Sequence, residues 1–281
     1  MPLSLVVGRF LFFMLTGEVN MALQLYDEEF NSRLLLGTAA YPTLEILRTA
    51  VRKAQPAMIT VALRRQSATS AEHGQGIWGL LQELAVPILP NTAGCLSVEE
   101  AVTTAQMARE VFETDWIKLE LIGDDDTLQP DVFQLVRAAE ILIKEGFKVL
   151  PYCTEDLIAC RRLLDAGCQA LMPWAAPIGT GLGPVHEYAL HVLRERLPDI
   201  PLLVDAGLGL PSHAAKVMEW GFDGVLLNTA VSRSGLPVMM AEAFALAINA
   251  GRMAYEADPV VPRDNAQAST PQVGQPFWHY A

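Results

Sequence analysis

The apolar run Trp116-Ile117-Lys118-Leu119-Glu120-Leu121-Ile122 carries a lysine and a glutamate two positions apart. In an extended strand, successive side chains leave opposite faces. Ile117, Leu119 and Leu121 then share one face, and Trp116, Lys118 and Glu120 share the other. A strand covered on both faces turns its apolar triplet toward helices and sends the two charges inward, where an unpaired charge is costly. A lysine amine in a partly dry pocket attacks carbonyls and forms imines. Burial lowers its pKa and the nearby glutamate raises it, and the residues alone leave that balance open. The side-chain bases stand about 6–7 Å apart, a spacing that predicts room for substrate between amine and carboxylate. The bland alternative is a structural ion pair or an exposed edge strand.

Other segments carry anion-binding chemistry. Leu202-Leu203-Val204-Asp205 runs into Ala206-Gly207-Leu208-Gly209 and then a helix start at Pro211-Ser212. Glycines let backbone N–H groups turn toward an anion, and a helix start adds a favourable dipole. Asp205, closing its apolar run, is a second acid/base candidate. A further run ends in Asn228-Thr229-Ala230, and Pro177–Gly183 forms another glycine-rich loop. Two other motifs are weak. His186 and His191 stand five apart, which rotates their side chains about 140° away from each other on a helix. Cys153 has no identifiable histidine partner and reads as a packing residue.

These residues must be positioned by a repeating framework. Eight strand-length apolar runs occur at 33–37, 57–63, 86–90, 116–122, 148–152, 169–173, 201–205 and 223–228. Helical segments at 43–54, 97–112, 130–145, 155–166, 185–197, 211–220 and 236–256 alternate with them, and 68–85 is a less regular eighth. Ser97 with Glu100 forms a capping box, and Gly146, Gly167 and Gly221 follow helix ends. The alternation predicts an α/β fold, a (β/α)8 TIM barrel, with an open doubly wound sheet as the alternative. Residues 31–257 form the barrel domain, 1–30 an N-terminal extension and lead-in, and 258–281 a flexible tail with Phe277, Trp278 and Tyr280 near its end.

Composition narrows the function. The chain has 281 residues, 51% hydrophobic, with 32 acidic against 20 basic and a formal charge of −12, which argues against a nucleic-acid surface. The four cysteines, Cys95, Cys153, Cys160 and Cys168, show no metal-ligand spacing and suit a reducing cytoplasm. No apolar stretch is long enough for a membrane span. The apolar residues 3–15 are split by Gly8 and Arg9 and lack a basic lead, so residues 1–20 read as an upstream extension, with Met21 a second possible start. From these residues alone, another imine-forming sugar-phosphate barrel or a non-catalytic scaffold stays open.

Assembled in order, SRLLLGTAAYPT, TVALRR, LPNTAGC, WIKLELIGD, VLPYC, MPWAAPIGTGLG, VDAGLG, DGVLLNTA and AGRMAYEA resemble the bacterial and plastid thiazole synthase family. The resemblance implies a homotetrameric (β/α)8 sulfurtransferase of thiamine biosynthesis. Lys118 would form a Schiff base with 1-deoxy-D-xylulose 5-phosphate, and Glu120 and Asp205 match the acid/base carboxylates. Gly179, the Ala206-Gly207 pair and the Asn228-Thr229 pair match the sugar-phosphate contacts. It also implies dehydroglycine as the C–N donor and a small sulfur-carrier protein with a C-terminal thiocarboxylate, and no metal or bound cofactor. The chain departs from the family at Ala39-Ala40, where a Gly-Lys pair is usual.

Overall fold

The computed structural model describes residues 22–63 and 71–267. The expected extension (1–20), Met21 and the tail aromatics lie outside the described residues. Twelve strands run in chain order among them: β1 (Leu23–Leu25), β2 (Glu28–Phe30), β3 (Leu34–Gly37), β4 (Met58–Ala62), β5 (Ile88–Asn91), β6 (Trp116–Leu119), β7 (Ile122–Asp124), β8 (Gln129–Pro130), β9 (Lys148–Cys153), β10 (Met172–Pro173), β11 (Leu203–Asp205) and β12 (Gly224–Leu227). The helices are α1 (Leu44–Ala54), α2 (Ala71–Leu84), α3 (Val98–Phe112), α4 (Val132–Lys144), α5 (Leu157–Asp165), α6 (Glu187–Arg196), α7 (Pro211–Glu219), α8 (Thr229–Ser232) and α9 (Pro237–Glu256).

Eight strands form one parallel sheet in the order β10-β9-β6-β5-β4-β3-β12-β11. Parallel bridges Leu171–Leu202 and Trp174–Asp205 join β10 to β11 and close the ring. The expected (β/α)8 barrel is therefore the observed fold. The helix starts follow local chemistry: Thr43, Ser97, Asp131 and Asp156 each accept a hydrogen bond from a backbone N–H of the following turn. Gly146, Gly167 and Gly221 all adopt positive φ just beyond helix ends, as their spacing predicted.

The pleat divides the apolar side chains into two cores. Leu34, Leu36, Ile59, Ile117, Leu119, Val149, Leu171, Val204 and Val225 face the helices. Leu35, Met58, Leu89, Trp116, Leu150, Met172, Leu203 and Leu226 fill the barrel interior. The β1–β2 hairpin adds Leu23, Leu25 and Phe30 to that inner cluster. Trp116 meets Tyr26 and Phe30 edge-on at ring separations of 5.4 and 6.0 Å, and its Nε1 donates to Glu28 Oε1 at 3.2 Å. The interior is thus packed at the amino-terminal end and polar at the carboxyl end. No helix of the described residues is long and apolar enough to cross a membrane.

Two expectations need correction. The strand expected over Trp116–Ile122 stops at Leu119. Thr92 Oγ1 accepts from Glu120 N and donates to Glu120 O, both at 2.8 Å, drawing those groups out of the ladder. Ile122 then starts a short antiparallel hairpin with β8. For the same reason the helix expected from Pro130 begins at Val132: Pro130 pairs with Ile122, and Asp131 caps.

The hairpin plug gives a stability test. Trp116→Ala removes the aromatic ring that β1 and β2 close over, and should cost about 3–5 kcal/mol in denaturant unfolding. An unchanged midpoint and slope would show that the plug contributes nothing.

Candidate active site

Above the inner core, the barrel opens into a cavity of about 570 Å³ at the carboxyl ends of its strands. Lys118, Glu120 and Asp205 all line it, together with Gly179, Ala206, Gly207, Asn228 and Thr229. Every site residue read from the sequence is brought to this one space. Lys118 and Glu120 arrive by the pleat of β6 and its continuation, and Asp205 from the end of β11, near the opposite wall of the ring.

The three charged groups are in direct contact. Lys118 Nζ lies 3.0 Å from Glu120 Oε1 and 2.6 Å from Asp205 Oδ2, and all three residues are at most 6% exposed. The gap for substrate expected between lysine and glutamate is absent, because the flexible lysine stem folds its ammonium onto both carboxylates. Burial pulls the Lys118 amine down, but the charges of Asp205 and Glu120 and their contacts outweigh it, so the amine is held above the ordinary lysine range. Burial raises the Asp205 carboxyl, and the lysine charge offsets this only partly. The resting site is therefore an ammonium between carboxylates, one of them a readier proton acceptor than an ordinary aspartate. Lys118 Nζ also lies 5.5 Å from the centre of the Tyr152 ring. Burial chiefly, and then the Asp205 and Glu120 charges, raise that phenol and keep it neutral.

Glycines shape the rim. Gly207 has φ +74, and a Cβ there would stand 2.4 Å from Ala176 N, so the loop after β11 can seat against the loop after β10 only without a side chain. Gly183 N donates to Gly207 O at 2.8 Å, locking the two loops together. At Gly37 a Cβ would meet Asn228 Cβ at 2.6 Å, which is how the loop after β12 leans over β3.

Three site-forming residues escaped the sequence reading: Thr60, Asn91 and Thr92. Asn91 and Thr60 line the cavity and are joined by a 2.9 Å Asn91 Nδ2–Thr60 Oγ1 bond. Their signal was a polar residue at an inward position near the carboxyl end of an apolar strand. The histidine pair does not converge: His186 meets Glu155, and His191 lies against Trp220. Cys153 faces the helical layer, 3.9 Å from Cys160. No group of three or more His, Cys, Asp or Glu among the described residues could hold a metal ion.

Fold and site together define a barrel enzyme built around one buried lysine and two carboxylates. Residues 24–271 match the family model described as thiazole biosynthesis protein ThiG. The chain is 81% identical over 259 residues to the thiazole synthase of Neisseria meningitidis serogroup A, covering 92% of this chain and 99% of that protein. It is 69% identical over 257 residues to the thiazole synthase of Ralstonia pickettii, covering 92% and 94%. Among solved structures, the Amycolatopsis orientalis BexX/CysO complex matches with a TM-score of 0.76 and 30% identity over 87% of this chain and 98% of that one. The chain belongs to the thiazole synthase family, the sulfurtransferases that make the thiazole of thiamine.

The ion cluster predicts a change in amine reactivity. Asp205→Asn removes the strongest charge that raises the Lys118 amine, so more of that amine is neutral at any mildly alkaline pH. A small amine-selective reagent should then label Lys118 faster in the variant than in the wild type, read by peptide mass. Equal or slower labelling would show that Asp205 does not hold the proton on the lysine.

Proposed function

We propose that Lys118 attacks the ketone of 1-deoxy-D-xylulose 5-phosphate and carries the sugar as an imine. The observation that carries this reading is the Lys118 ammonium held 2.6 Å from Asp205 and 3.0 Å from Glu120 inside the cavity. An ammonium must shed a proton before it can attack, and Asp205, its affinity for protons already raised by burial, stands in contact to take it. The imine is an electron sink, so hydrogens on the neighbouring carbons become acidic and the carbonyl can migrate along the sugar. Glu120 and Asp205 shuttle those protons.

The sugar phosphate sits against Gly179, Ala206, Gly207, Asn228 and Thr229. Their place after the last strands of the barrel, where anions meet backbone N–H groups, supports this. Sulfur then enters from the thiocarboxylate of a small sulfur-carrier protein. The solved relative in complex with CysO supports a carrier partner. Dehydroglycine condenses, and loss of water closes the thiazole ring. The working form is a homotetramer in the cytoplasm. Half-exposed or exposed Met107, Val111 and Phe133 on α3 and α4 support assembly, and four buried free thiols suit a reducing compartment.

The test is covalent trapping. Incubation with the deoxyxylulose phosphate followed by borohydride should place a sugar-phosphate mass on the peptide containing Lys118. Lys118→Arg keeps the charge, loses the adduct and drops thiazole formation by about 10³-fold or more. A wild-type protein without adduct, or an active Lys118→Arg, would end this reading.

A further inference from the structure

The cavity wall formed by β4 and β5 carries a polar pair that the reading above leaves without work. Asn91 is paired in register with Lys118, so the two residues are neighbours across adjacent strands and both face the cavity. Thr60 stands on the next strand, 7% exposed. The proton arrangement of this pair follows from its neighbours. Ala93 N can only donate, and the Asn91 atom facing it at 3.2 Å is therefore the amide oxygen. That turns the amide nitrogen toward Thr60 Oγ1 at 2.9 Å, where it must donate. Thr60 Oγ1 is consequently an acceptor in this bond, and its own proton points elsewhere. Among the described residues, neither that hydroxyl proton nor the second amide proton of Asn91 meets an acceptor. The backbone beneath is pinned, since Thr60 O accepts from Thr38 N at 3.2 Å and Thr38 Oγ1 at 2.9 Å.

A fixed pair of donors beside a nucleophilic amine is the arrangement that stabilises a developing oxyanion. We propose that Asn91 Nδ2–H and Thr60 Oγ1–H bind the oxygen on the carbon next to the imine carbon of the bound sugar, and stabilise it as the carbonyl moves there. The assignment rests on the imine reading and deepens it. In the deoxyxylulose phosphate the imine forms at C2; C1 is a methyl group, so the C3 oxygen is the one oxygen adjacent to that carbon. The step balances as an isomerisation. The C3–H bond breaks and its proton goes to a carboxylate. Its electron pair forms C2=C3, and the C=N pair of the protonated imine moves onto nitrogen, leaving a neutral amine. The enol oxygen at C3 then loses its proton as C3=O forms, and C2 regains one. Negative charge gathers on the C3 oxygen in that last transfer, and the Asn91–Thr60 donors meet it there.

Two readouts separate this role from imine formation itself: the borohydride-trapped mass on Lys118, and exchange of deuterium from heavy water into C2 of the trapped sugar without sulfur carrier, since C2 gains a solvent hydrogen only in that last transfer. Thr60→Val keeps the side-chain shape and removes the donor. It should retain the adduct while exchange slows by about 10²-fold, and Thr60→Ser should restore exchange. Asn91→Leu should act in the same direction as Thr60→Val. Undiminished exchange in Thr60→Val with the adduct intact would overturn the proposal. So would loss of the adduct in Thr60→Val where Thr60→Ser keeps it, because the hydroxyl would then serve imine formation. Absence of the adduct in the wild type would instead overturn the imine reading.

Discussion

One ammonium inside a closed sheet, clasped by two carboxylates, is the constraint on which the rest of this molecule turns. A charge there is tolerable only if it is paired, and the pairing draws on strands from different parts of the ring: Lys118 and Glu120 from β6 and its continuation, Asp205 from β11. The barrel must therefore be closed for the site to exist. An open sheet would leave the end of β11 far from β6, and the lysine would lose its Asp205 partner. Closure through the Leu171–Leu202 and Trp174–Asp205 bridges brings the ion cluster together as directly as it completes the fold.

Such a cluster is a poor source of stability, because the desolvation of three ions offsets most of their attraction. Stability comes instead from the two apolar layers that the pleat separates, one under the helices and one inside the barrel. The inner layer ends where the polar layer begins. Along β6 the change is a single step, from Trp116 sealed by the β1–β2 hairpin to Lys118 facing the cavity. The hairpin covers the inner core from below, while the glycine loops line the cavity above. The ammonium is thereby held in a space reached from one end.

Much of this was legible in the residues. Alternating apolar and helical segments defined the barrel, and the two-residue period of Trp116–Glu120 assigned the inward face correctly. Asp205 was visible because it closes an apolar run and opens into glycines. The balance of forces on the lysine was not legible, since Asp205 lies 87 positions further along the chain and its 2.6 Å contact depends on ring closure. The early end of β6 was hidden for a similar reason. It is caused by a threonine on the neighbouring strand segment, not by anything between Trp116 and Ile122. Asn91 and Thr60 are ordinary residue types whose meaning comes only from facing Lys118. The plugging hairpin escaped because β1 and β2 are three residues each, too short for a period to show.

The most direct measurement is a crystal structure of the wild-type protein soaked with the deoxyxylulose phosphate. The account predicts continuous density from Lys118 Nζ to C2 of the sugar, with the phosphate between the loops after the last strands of the barrel. It also predicts that Asp205 and Glu120 flank the new bond. A sugar bound with the Lys118 ammonium still closed onto Asp205 and Glu120, or seated outside the barrel mouth, would contradict it.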